Sequence, residues 1–257
     1  HLPTLWPLPA AAAVLGVSAF AIWVSPWVIA PLFNRFWPLE DAQLAGRVRE
    51  LATRAGLAVQ RVLVTDASRR STTLNAYFTG LGNSRRVVLY DTLVEACGPD
   101  EILSVVGHEL GHWRHHHIAK LFALETVGVT GGLWALQLLL DSAAFRGLLG
   151  LPAPSSLVLL AALPFLATLG GRVFAPVGAA ISRRFERQAD RAAFELTADP
   201  QAFIHLEQLL VRRAKADLLQ PTLVHRLYGS HPLPEERIRA AASHQPTPAG
   251  TAPKVDL

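Results

Sequence analysis

Three long stretches of this chain carry almost no charge, and they limit what it can fold into more than any other feature. Residues 2–34 have none, residues 121–140 enclose only Glu125, and residues 147–171 again have none. Each is of the length that a bilayer crossing needs, about 20 predominantly apolar residues. A soluble fold can hide one such helix; three point to a membrane. The composition agrees, with 51% hydrophobic and 17% charged residues, against about 25% charged in an ordinary soluble domain. Residues 8–33, 121–140 and 155–181 therefore read as crossings. Pro26, Pro31, Pro164 and Pro176 fall inside them, which bundles tolerate where neighbours re-satisfy the freed carbonyls. Glu125 requires a cavity or a partner at membrane depth. Gly128, Gly131 and Gly132 would allow close helix approach, and Trp6, Trp23, Trp27 and Trp37 would mark an interface. The first run is too long for a signal core and lacks a basic leader.

The remaining charge is basic, +4 net, with 21 Arg against 3 Lys crowded between the apolar runs. No aromatic-studded basic sheet or basic recognition helix accompanies it, so nucleic acid is not expected as a partner. A positive-inside bias accounts for the arginines and predicts a cytoplasmic face for the segments around Arg47 to Arg86, Arg114 and Arg183 to Arg191. Cys97 is the only cysteine, so an intrachain disulfide and a cysteine metal cluster are both excluded.

Between the first two runs the pattern changes. An amphipathic helix is predicted over 38–55, with Leu44, Val48, Leu51 and Ala52 inward, ended by Gly56. Strands are predicted over 59–65, 71–78 and 86–90, the last two joined through Gly80-Leu81-Gly82-Asn83-Ser84. An edge of that sheet would accept an extended peptide by main-chain hydrogen bonds.

The motif His108-Glu109-Leu110-Gly111-His112 follows, on a helix that Asp100 is expected to cap with Pro99 just outside. His108 and His112 lie four apart, so both imidazoles point to one side, with Glu109 beside them to act on a water. This is the H-E-x-x-H pattern of a zinc hydrolase. The helix is expected to run on through His115-His116-His117 toward the second crossing. Consecutive histidines spread over different faces, and only His116 falls four after His112. A catalytic zinc takes a third protein ligand and leaves one position open. Glu186 and Asp190, four apart after the third crossing, suit that need; an Arg-paired helix with solvent-facing acids would show the same spacing. Ser230-His231-Pro232 before a short helix with Arg237 would bring a donor and a cation to the cleft, or be a plain turn. A helix is expected over 202–219, and a disordered Pro/Thr/Ala-rich tail from 243.

Several of these stretches resemble the M48 family of membrane zinc metalloproteases, in the CAAX prenyl protease 1 (Ste24-like) branch. They are residues 31–41, Ser71-Thr72-Thr73-Leu74-Asn75-Ala76-Tyr77-Phe78-Thr79-Gly80, Arg86-Val87-Val88-Leu89-Tyr90-Asp91-Thr92-Leu93, 108–117, 182–190 and Ser230-His231-Pro232, in family order. The resemblance implies a mainly α-helical integral membrane protein with a small β-sheet beside a zincin-like (gluzincin) core, and one Zn2+ per chain. It would make His108, His112 and Glu186 the zinc ligands and Glu109 the general base. Asp190 would steady a ligand histidine, His231 would help hold the substrate or the developing oxyanion, and Asn75 and Arg237 would contact substrate. The implied organisation is a first membrane helix (1–37), a polar helix and sheet (38–99), catalytic helices with two further crossings (100–242) and a tail (243–257).

The implied activity is peptide-bond cleavage in prenylated CAAX-type or other membrane-associated substrates, in a bacterial inner membrane with the catalytic side cytoplasmic. The alternatives are an HtpX-like protease that degrades damaged membrane proteins and a catalytically silent scaffold with structural zinc. Ste24-type enzymes carry further membrane helices ahead of the one resembling residues 8–33, which leaves open how substrate would be sequestered here.

Overall fold

The computed structural model describes residues 5–80, 85–150, 156–214 and 222–244. The tail from 245 onward, the linker 81–84 and the end of the helix expected over 202–219 lie outside them. The chain opens with α1 (Pro7–Val24), a wide π turn (Ser25–Ile29) and α2 (Ala30–Phe33). Pro26 sits in the π turn, where the wider turn accommodates its missing N–H.

Next come β1 (Phe36–Pro38), α3 (Ala42–Arg54), β2 (Arg61–Thr65), β3 (Ala76–Thr79) and β4 (Arg86–Tyr90). They are followed by α4 (Asp91–Ala96), α5 (Pro99–Arg114), α6 (His117–Asp141) and α7 (Ala143–Leu149). The 42-residue α8 (Ser156–Thr197), α9 (Pro200–Ala214), α10 (Thr222–Tyr228) and α11 (Pro234–Ser243) complete the chain. The described residues are mostly helical, with one small mixed sheet.

The sheet order is β1-β2-β4-β3, with β2 and β4 parallel and the outer pairs antiparallel. Two sequence expectations change here. β1 was not anticipated: it is too short to show alternation, and its strand character comes from pairing Phe36 to Thr65. The strand expected over 71–78 is confined to Ala76–Thr79, because the preceding segment spends its hydrogen bonds locally. Ser71 Oγ, for example, accepts from the Thr73 amide at 3.1 Å. The pleat turns Val62, Val87, Leu89 and Ala76 inward against Val48 and Leu51 of α3 and Val106 and Leu110 of α5, forming the main core. Asp41 caps α3 by accepting from the Leu44 amide at 2.9 Å.

Helix α5 starts earlier than expected, with Gly98 as cap residue and Pro99 in the first helical position, where its lack of an N–H costs nothing. Asp100 lies inside the first turn and pairs with Arg47 at 2.5 Å. Nor does α5 run into the next helix: it stops at Arg114, and His116 takes the left-handed conformation (φ 53°) before α6 starts at His117.

Among the described residues two helices are long and apolar enough to cross a bilayer, Pro7–Phe33 and His117–Asp141. The third expected crossing falls on the amino-terminal part of α8, which continues unbroken to Thr197. None of the most apolar stretch of Pro7–Phe33 is buried within the protein, unlike the core helix of a soluble domain. Glu125 has a partner: Ser18 Oγ of α1 donates to it at 2.7 Å. Trp6, expected as an interface marker, donates its indole N–H to Gln137 of α6. Gly128, Gly131 and Gly132 have open space where a Cβ would stand, so close packing occurs elsewhere.

Candidate metal centre

Close packing occurs between α5 and α8. Gly107 and Gly111, one turn apart on the inner face of α5, lie against Ala193, Ala189 and Ala192 of α8. The approach is close enough for side chains projecting from both helices to converge on one point. His108 Nε2 and His112 Nε2 are 3.1 Å apart. Glu186 places Oε2 3.4 Å from the first and Oε1 3.5 Å from the second. Zinc bonds of about 2.0–2.2 Å in tetrahedral array put neighbouring ligand atoms roughly 3.3–3.5 Å apart. Here each histidine nitrogen has its own Glu186 oxygen at about that range, and one ligand atom from each of the three residues lies within 4.8 Å of the others. His108, His112 and Glu186 are the described His, Asp and Glu residues grouped closely enough to hold a metal ion.

The surroundings orient the side chains of this cluster. His108 Nδ1 lies 2.8 Å from Asp190 Oδ1, which accepts its proton and leaves Nε2 free as a donor atom. Asp190 is clamped from behind by Arg237, whose Nε and Nη2 donate to its two oxygens at 2.9 and 2.5 Å. Burial alone would raise the Asp190 pKa; the Arg237 fork and His108 outweigh it and hold the carboxyl at about 2. Arg237 also reaches Glu207 Oε1 at 2.7 Å and lies over the Phe203 ring. Burial would lower the Arg237 pKa, but its two acidic partners raise it further still.

Arg237, expected on the substrate side, thus sits behind His108 and Asp190, its charge taken up by two buried carboxylates. Glu186 and Asp190 of α8 are likewise not solvent-facing, both being buried.

The second histidine of the cluster, His112, is held by a residue that spacing alone did not single out. Its Nδ1 lies 2.9 Å from Nδ1 of His117, which is buried, stacks on Phe185 (centroids 4.2 Å apart, planes at 10°) and reaches Gln188 Oε1 with Nε2 at 3.0 Å. In a continuous helix residues five apart diverge by about 140°. The left-handed step at His116 swings His117 back beneath His112.

Glu109 shares a cavity of about 540 Å³ with His112, the β3 residues Tyr77, Phe78 and Thr79, and Ile22, Trp23 and Trp27 of the first long helix. Burial raises the Glu109 pKa, as does Glu186, against an opposing effect from His108. A carboxylate so placed is a stronger base than one in water. His231, largely exposed, brings Nε2 to 3.7 Å from Glu186 Oε1 and has Ser230 Oγ 2.9 Å from Nδ1. Its loop is anchored by Arg183, which donates to the carbonyl oxygens of Arg226 (2.9 Å) and Gly229 (2.5 Å) at the end of α10. A signal for Arg183 was available in sequence: it stands one turn before Glu186 on the same helix face.

Asn75 stands apart from the cavity. Its side chain accepts from the Ala76 amide at 2.8 Å, and its carbonyl accepts from the Tyr90 amide at 3.0 Å. The sheet residues beside Glu109 are those just after it, Tyr77 to Gly80.

With this geometry, the similarities to known proteins are informative. The profile of peptidase family M48 matches residues 38–245. An uncharacterized metalloprotease of Bacillus subtilis, YhfN, is 31% identical over 245 residues, covering 95% of this chain and 58% of that protein. A CAAX prenyl protease 1 homolog of Dictyostelium discoideum is 34% identical over 230 residues, covering 87% and 53%. The crystal structure of S. mikatae Ste24p superposes with a TM-score of 0.80 at 29% identity, over 91% of this chain and 58% of that one. The chain thus spans about half the length of the curated relatives it matches. From the extent of the profile match, with the histidine, glutamate and aspartate cluster inside it, the chain belongs to peptidase family M48.

Proposed function

We propose that this protein is a zinc-dependent endopeptidase of the membrane that hydrolyses peptide bonds in membrane-associated substrates, prenylated CAAX-type chains foremost. The observation that carries the reading is the convergence of His108, His112 and Glu186, one ligand atom from each lying within 4.8 Å of the others, with Glu109 in the adjoining cavity. His108, His112 and Glu186 would hold one zinc ion, which when bound supplies Lewis acidity toward a carbonyl and a water.

The chain's own residues supply the rest. Glu109 takes a proton from the attacking water as its oxygen bonds to the scissile carbon, and returns it to the amine nitrogen as the C–N bond breaks. His231 Nε2–H, its ring oriented through Nδ1 by Ser230, donates to the carbonyl oxygen as negative charge develops there. The outer edge of β3 pairs with the substrate main chain, with Asn75 at the start of that edge.

The cavity supports a membrane-associated substrate, because one of its walls is the apolar helix Pro7–Phe33, whose most apolar stretch is unburied. In this reading α1 to α2, α6 and the first half of α8 cross the bilayer. The arginine-rich segments and the metal centre then face the cytoplasm, and a bacterial inner membrane is the compartment. An unmodified, misfolded membrane protein is the alternative substrate, with an HtpX-like task.

Two assays test this. Purified protein should bind one zinc and cleave an isoprenylated CAAX peptide; loss of cleavage with zinc retained in Glu109→Gln supports the mechanism. Equal rates for that variant and the wild type would sink it. Cleavage of an unmodified membrane protein in preference to the prenylated peptide would select the alternative substrate.

A further inference from the structure

The two histidines of the cluster are supported differently, and the second is supported by another imidazole that a helix break brings beneath it. His108 gives its Nδ1 proton to an ionised carboxylate, Asp190. His112 Nδ1 faces another imidazole, His117 Nδ1, at 2.9 Å, and the far nitrogen of that ring faces Gln188 Oε1 at 3.0 Å. Two facing Nδ1 atoms at this distance must share a single proton between them: two protons would clash, and none would leave two lone pairs opposed.

We propose that His117 is the positioning residue for the second metal ligand, fixing the His112 tautomer through a relay that ends on Gln188. The proposal rests on the reading of His108, His112 and Glu186 as the ligand set. For His112 Nε2 to ligate, its proton must reside on Nδ1. His117 Nδ1 then accepts that proton, and His117 Nε2–H donates to Gln188 Oε1. Every polar atom of the relay is thereby satisfied in one direction only.

The location of the partners supports the assignment. Phe185 and Gln188 flank Glu186 on α8, so one turn of one helix carries the third ligand, the stacking face for His117 and the acceptor for its outer nitrogen. A histidine serving the core alone would need the stacking contact but not the 2.9 Å approach to a ligand nitrogen. The relay sets a neutral group behind His112 where His108 has an anion, which would neutralise a bound ion less than two carboxylate supports.

The test uses the full chain in detergent, with zinc affinity measured by competition against a chromophoric chelator. His117→Phe keeps a ring against Phe185 but removes the acceptor; it should weaken zinc binding about 10–100-fold, the usual cost of losing such a support. His117→Asn, whose Oδ1 stands where Nδ1 was, should recover most of that loss. Gln188→Leu should weaken binding in the wild-type background and leave it unchanged in the His117→Asn background. Nitrogen-15 spectra of the zinc-loaded wild type supply a readout independent of any variant's folding: His112 should be protonated at Nδ1 and His117 at Nε2 alone. Wild-type affinity in His117→Phe, or a proton on His117 Nδ1, overturns the relay while one bound zinc in the wild type leaves the ligand set standing. A wild type that binds no zinc removes both.

Discussion

Gly111 of α5 meets Ala189 of α8 backbone to backbone: a Cβ on the glycine would stand 2.7 Å from the Ala189 Cα and 2.8 Å from its carbonyl oxygen. No flexible side chain lies there to yield, so the two helices themselves would have to part. Glu186 and Asp190 leave α8 next to this contact, and any parting carries them away from His108 and His112. We expect Gly111→Ala to cost roughly 1–3 kcal/mol of stability, as overpacking does, and to lower zinc occupancy. Gly107→Ala, with its nearest neighbour Ala193 Cα at 3.2 Å, should do the same more weakly, and Gly128→Ala, which meets nothing within 4 Å, should do neither. Thermal melts and zinc-to-protein ratios across the three variants check the order.

Glu109→Gln keeps the shape of the cavity wall and removes the carboxylate proposed as the base. Peptide hydrolysis should fall by about 10²–10⁴-fold, the usual contribution of general-base catalysis, with zinc content and melting temperature unchanged. A variant that instead loses its zinc would assign Glu109 to holding the ion.

Arg237 links two buried acids, so its removal leaves charge without a partner. Arg237→Ala should destabilise the protein by about 3–5 kcal/mol, as breaking a buried pair does, and Arg237→Lys should restore part of this because a single ammonium cannot replace the fork. Steady-state kinetics on the folded Lys variant distinguish this placement from a substrate contact, which would raise KM alone.

Asp66 ties the turn after β2 to the end of the first long helix. It accepts from the Arg35 amide at 2.8 Å and pairs with Arg69 and Arg70. The Arg35 amide bond lowers its pKa most, burial opposes, and the two arginines add to the lowering, bringing it from 3.8 to about 2. The folded value lies below the unfolded one, so Asp66 stabilises the fold fully above 3.8, and the contribution is lost as the pH falls from there through about 2. Melting temperatures of wild type and Asp66→Asn in detergent should differ at neutral pH and converge across that window. A gap that is constant with pH would mean the side chain acts by shape alone.

His116 occupies the left-handed region at the α5–α6 junction. His116→Gly should be tolerated there, whereas His116→Val should destabilise, because a side chain branched at Cβ fits a left-handed conformation least. It should also weaken zinc binding by displacing His117. Equal behaviour of the two variants would separate the junction's conformation from the metal centre.

Sequence alone determined what depends on local geometry. Residues four apart on a helix share a face whatever surrounds them, so the pairs His108 with His112 and Glu186 with Asp190 were legible, and so were the apolar runs that became the two long apolar helices. Tertiary structure decided the rest. His117 belongs with His112 only because a single left-handed residue breaks the helix between them. Arg237 turns inward because two acids from other helices await it, and β1 is a strand only by virtue of β2 beside it. Gly111 carries no local mark of its role, since what matters there is the backbone it meets 78 residues later, at Ala189. Covalent periodicity specifies which residues of one element point together; only packing specifies which elements they then face.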